Sequence, residues 1–111
     1  MNRPTRFYSD KQEKKVVKEI GGRQTANSGA TPWAKGDVLT DQFLIECKTA
    51  TSERQTFSIP KKWLEKMREE AFSMGKPYSA LGFDYGGGEM YYVISEKLFK
   101  QLVETLENSE V

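Results

Sequence analysis

The chain has 111 residues, 37% hydrophobic and 30% charged, with a mean hydropathy of -0.69 and a formal net charge of +1. That composition suits one domain with a thin core, and no apolar run approaches the roughly 18 residues that a membrane span needs. Histidine is absent and Cys47 is the only cysteine, which excludes Ser-His-Asp and Cys-His catalysis, an intrachain disulfide, and zinc sites built on His or on Cys clusters.

In chain order, Met1 to Tyr8 shows little pattern and is expected to be a flexible arm. Ser9 followed by Gln12 resembles a capping box that starts a helix running to about Ile20, ended by Gly21-Gly22. Residues 21–36 form a polar, Gly/Ser/Thr/Asn-rich loop of a length that is often functional. The segments DVLT and FLIECKTA, around Asp41-Gln42, predict two strands joined by a tight hairpin, and Gln55–Ile59 predicts a third short strand. Pro60 suits the first turn of a helix with Trp63, Leu64, Met67 and Ala71 as its apolar stripe and Gly75 as its stop. Tyr78–Tyr85 and Met90–Ser95 are expected strands around Gly86-Gly87-Gly88, and a last helix from about Glu96 carries Leu98, Leu102, Val103 and Leu106 on one side. The expected order is αβββαββα, an α/β fold in which a mixed sheet is flanked by helices, all in a single domain over 1–111.

Charge is unevenly distributed along this order. Residues 1–36 hold eight Lys/Arg, including Lys14, Lys15, Arg23 and Lys35, against Asp10, Glu13 and Glu19, while the other 75 residues are net acidic. The asymmetry suggests one face meeting a polyanion, although a solvated helix with a basic tail gives the same balance. Residues 1–15 contain no apolar stretch of the signal-peptide kind, so a cytoplasmic protein is expected.

Asp37 opens one predicted strand and Glu46 lies in the next, so antiparallel pairing through a turn at Asp41-Gln42 brings them close. Glu46 and Lys48 are two residues apart and share a face, with Leu44 as apolar lining; Phe43, Ile45 and Cys47 point to the opposite, core face. Two carboxylates and an ammonium in this arrangement suit phosphodiester hydrolysis. Asp37, Glu46 and the backbone carbonyl of Cys47 offer oxygen ligands for Mg²⁺, with Mn²⁺ able to substitute. Lys48 can contact the scissile phosphate and orient or deprotonate the water. An ordinary cross-strand ion pair would use the same residue types, but charges embedded in the apolar strand FLIECK need a reason.

Gly36-Asp37-Val38 followed by Phe43-Leu44-Ile45-Glu46-Cys47-Lys48 resembles the core of the PD-(D/E)xK nuclease superfamily. With the preceding helix, Gly-Arg-Gln-Thr and Asn27-Ser28-Gly29-Ala30, the series is similar to archaeal-type and phage Holliday junction resolvases. The likeness covers residues 10–72 in motif and the remainder only in element order. It implies a restriction-endonuclease-like core, metal ligation by Asp37 and Glu46, a catalytic role for Lys48, and a supporting helix acid at Glu13. It also implies DNA contacts from Ser28 in the Asn27-Ser28 loop, and a site-facing polar residue at Gln55 on the next strand. The implied substrate is branched or four-way-junction DNA cut by a homodimer, in the host cytoplasm if the protein is phage-encoded. Two alternatives stay open: a restriction-like or nicking endonuclease on duplex DNA, and a non-catalytic DNA-binding protein of the same fold. Gly36 stands where the named motif has proline.

Overall fold

The computed structural model describes residues 5–25 and 37–109. Helix α1 spans Thr5–Ile20, four residues longer at its start than the sequence suggested. Nothing in Thr5–Tyr8 breaks a helix, so these residues join it rather than forming an arm. Ser9 therefore lies inside the helix, and Gln12 is not a capping residue but a buried one. Gly21 closes α1 by donating its N–H to the Val17 carbonyl at 2.9 Å. Gly22 then turns the chain with φ of +84°, where an added Cβ would sit 2.3 Å from the Leu39 carbonyl oxygen. Only glycine permits that approach.

Close contact at Gly22 brings a two-residue strand, β1 (Arg23–Gln24), alongside β2 (Asp37–Leu39). Strand β3 (Phe43–Lys48) pairs with β2 in antiparallel register, Asp37 opposite Glu46, Val38 opposite Ile45 and Leu39 opposite Leu44. Helix α2 (Lys61–Ser73) carries the chain across to β4 (Tyr78–Phe83), which lies parallel to β3. Antiparallel β5 (Tyr91–Val93) forms the far edge, and α3 (Glu96–Asn108) follows, its start capped by Ser95 Oγ accepting from the Leu98 N–H at 3.1 Å. The protein is thus an α/β fold with three helices and a five-stranded mixed sheet ordered β1-β2-β3-β4-β5. No described helix is long and apolar enough to cross a membrane.

The third expected strand, Gln55–Ile59, does not form. Phe57 and Ile59 are half-buried against the core while Gln55, Thr56 and Ser58 are exposed. The two-residue alternation is real, but side-chain packing satisfies it without a strand partner. The strand that completes the sheet is β1, inside the segment that read as a loop.

Both faces of the sheet are covered. Val38, Ile45 and Cys47 pack with Val16 of α1 on one side. Leu44, Leu81 and Phe83 pack with Met67 and Ala71 of α2 on the other. Leu44 is fully buried, so the face carrying Glu46 and Lys48 is a second core and not merely lined by one apolar residue. Phe72 is 86% exposed and Leu106 68%, with Tyr91, Phe99 and Leu102 also exposed. Of Leu98, Leu102, Val103 and Leu106, which share one side of the last helix in the sequence pattern, only Leu98 is buried.

Candidate active site

Strand register places the first two residues of the site. Direct antiparallel partners project to the same face, so Asp37 and Glu46 both point to the α2 side. Lys48 follows two residues on, its Nζ 3.3 Å from Glu46 Oε1. The same ammonium lies 4.4 Å from the centre of the Trp63 ring on α2. The hairpin and the crossover helix thus meet over one cation.

Asp37 is the unusual member. It is 1% exposed, and among the described residues neither Oδ1 nor Oδ2 has a hydrogen-bond partner. Burial, then the nearby Glu46, Glu70 and Glu13 carboxylates, push its pKa up to about 8, against a smaller opposing pull from Lys48. At neutral pH and without a cation this carboxyl holds a proton. Glu70 on α2 is shifted the same way by burial and by Glu46, and its Oε2 is likewise buried without a partner. Buried carboxyl oxygens lacking donors are costly and rare in native proteins. Burial also pushes up the Cys47 thiol, on the opposite face, so it is inert.

The α1 side is built differently. Glu13 is 2% exposed, and its Oε1 accepts from Gln24 Nε2 at 3.1 Å. The same Gln24 nitrogen donates to Asp10 Oδ1 at 3.1 Å. Gln12 Nε2 donates to the Lys48 carbonyl at 2.8 Å and to Asp84 Oδ2 at 3.1 Å, while Gln12 Oε1 accepts from Thr49 Oγ1 at 2.9 Å. One buried glutamine therefore ties α1 to the end of β3 and to the residue just beyond β4.

Asp37, Glu46, Lys48 and Glu13 are accordingly brought into one electrostatic neighbourhood. The proposed DNA contacts are more scattered. Arg23 is exposed on β1, and Lys14 is exposed and paired with Asp10 at 2.9 Å. Lys15 donates to the Gly88 carbonyl, so it braces α1 against the glycine turn. Gln55 is exposed but lies on no strand, which removes the basis for its site-facing role. Asn27, Ser28 and Lys35 lie outside the described residues. Glu70, Trp63, Gln12 and Gln24 were missed from the sequence. Glu70 had a signal: an acid three residues after Met67, beside the apolar stripe of α2.

Asp37 and Glu46 suit a hard divalent cation, because two oxygen-only groups include a buried carboxyl whose oxygens lack donors. Among the described residues no three Cys, Asp or Glu side chains converge to form a metal cage by themselves. Two carboxylates with water completing the coordination match the way Mg²⁺ is usually bound. A groove of about 590 Å³ between α2, β4 and α3 is lined by Leu64, Met67, Tyr78, Val93 and Leu98 and holds none of these residues. Asp37, Glu46 and Lys48 lie elsewhere, at the open end of the β2–β3 hairpin. No protein-family model, curated protein or solved structure matches this chain.

Proposed function

We propose that the protein is a Mg²⁺-dependent DNA endonuclease with a restriction-endonuclease-like core, acting on branched DNA in the manner of a Holliday junction resolvase. One observation carries the reading: Asp37, buried with both carboxyl oxygens unpartnered, lies in register with Glu46 beside Lys48. The helix, antiparallel strands, crossover helix and parallel strand are in keeping with the superfamily the motif resembles.

Asp37 and Glu46 would hold the cation, with the Cys47 carbonyl as a further oxygen ligand. When bound, the cation supplies charge neutralisation at the phosphate and acidifies an attached water. Lys48 donates to a non-bridging phosphate oxygen, which gains negative charge as the water oxygen attacks phosphorus and the P–O bond to the leaving oxygen breaks. Glu13, held by Gln24, adds negative charge that favours a divalent over a monovalent occupant. Exposed Arg23, together with the other basic residues of the first third, supplies non-specific attraction to the DNA backbone. The exposed apolar row Phe99, Leu102 and Leu106 supports assembly of two copies, which paired cuts in a symmetric junction require.

The test is cleavage of end-labelled four-way junctions and linear duplexes by the purified chain in Mg²⁺. Paired, symmetric nicks confined to the junction are expected. Equal cleavage of duplex would favour the restriction-like or nicking alternative, and junction binding without metal-dependent cleavage would leave the non-catalytic reading.

A further inference from the structure

We propose that Trp63 is a positioning residue that fixes the Lys48 ammonium for its contact with phosphate; the inference rests on the nuclease reading. A lysine head carries four flexible carbons and has no preferred orientation of its own. Its ion pair with Glu46, at 3.3 Å and with the two side chains 30% and 18% exposed, fixes its head at one point only. Trp63 supplies the second anchor. Its ring centre lies 4.4 Å from Lys48 Nζ, well inside the range of attraction between a cation and an indole face.

The position of Trp63 is itself fixed. It sits in the first turn of α2, its N–H bonded to the Pro60 carbonyl at 3.0 Å, and it is half-buried against the Leu44 and Met67 core. Trp63 and Glu70 are seven residues apart, two helical turns, and so lie on one side of α2. One helix therefore lays an aromatic face on the lysine and a carboxylate near Asp37.

The arrangement bears on what Lys48 does. A carboxylate and an aromatic face hold the Lys48 nitrogen from two sides. Of the ammonium's three N–H groups, those not engaged by Glu46 are free to donate. Lys48 is thereby held in place to donate to a phosphate oxygen.

Packing alone would also explain an indole at this position, so the test separates shape from the aromatic face. In a Trp33→Phe background Trp63 is the sole indole, and Lys48→Met is expected to shift its emission. On junction DNA, Trp63→Leu is expected to lower turnover about tenfold with KM and Mg²⁺ affinity unchanged, while Trp63→Phe keeps turnover within about threefold of wild type. Unchanged emission in Lys48→Met, full turnover in Trp63→Leu, or equal losses in the leucine and phenylalanine variants would each overturn the proposal. Absence of cleavage by the wild-type chain would overturn the nuclease reading beneath it, and the emission change, which needs no catalysis, tells that failure apart.

Discussion

Two polar clusters lie on opposite faces of the same sheet and are built on opposite principles. On the α1 face, Gln12 meets the Lys48 carbonyl, Thr49 and Asp84, and Gln24 meets Asp10 and Glu13, so most of these buried and half-buried groups exchange hydrogen bonds with one another. On the α2 face, Asp37 and Glu70 bury carboxyl oxygens that find no donor among the described residues. A satisfied buried network holds a fold together, whereas an unsatisfied one costs stability and persists where a ligand will complete it. Gln12 thus belongs to the architecture, while on the proposed reading the second cluster carries the chemistry.

That contrast breaks most visibly in activity. Asp37→Asn, Glu46→Gln and Lys48→Ala should each lower junction cleavage by at least about 10²-fold, the usual loss when a transition-state charge stabiliser is removed. Gln12→Leu should leave turnover per folded molecule near wild type, as read by single-turnover cleavage. A large catalytic loss in Gln12→Leu alone would erase the distinction.

The metal-free protein should show the next largest effect in its pH dependence. The pKa of Asp37 is raised from 3.8 to about 8 in the fold, so between those values the native state keeps a proton that the unfolded chain has lost. Stability is therefore fully present at the acid end, falls as pH rises, and levels off above about 8. At roughly 1.4 kcal/mol per pH unit, the decline from this group is on the order of 5 kcal/mol. Urea unfolding from pH 5 to 9 covers about three of those units and should show a decline of roughly 4 kcal/mol. Asp37→Asn should flatten the profile and make the metal-free protein more stable than wild type at pH 8.

Gln12→Leu should run the other way, costing about 2–3 kcal/mol at every pH because partners are left buried without their hydrogen bonds. Lys14→Ala, which removes only an exposed ion pair, should cost under about 1 kcal/mol in the same assay. A loss at Lys14 as large as that at Gln12 would mean that exposure does not rank these contacts.

How much of this was legible in the sequence depended on range. The Asp37–Glu46 pairing was, because a short turn leaves one register that keeps Val38 and Ile45 in the core. The strand read at Gln55–Ile59 was not, because alternating burial reports packing of Phe57 and Ile59 and says nothing about a backbone partner. Strand β1 escaped because two residues carry no periodicity, and only the close approach at Gly22 reveals it. Trp63 read as core, and half of its role is core; its place over Lys48 depends on where the crossover helix lands. The burial of Glu13 and Gln12 likewise depends on how α1 docks, which no local pattern specifies. Fold class and the central acids are local facts, whereas the neighbours that tune them are tertiary ones.

The central claim is that Asp37 and Glu46, paired across the β2–β3 ladder on the α2 face, form a divalent-cation site. Calorimetric titration of the full chain with Mn²⁺ at pH 8 tests it most directly, alongside Asp37→Asn, Glu46→Gln and Gln12→Leu. Saturable binding by wild type and Gln12→Leu, weakened at least about tenfold in the other two, is the predicted result. Equal affinity in wild type and Asp37→Asn, or no binding by wild type, would contradict it.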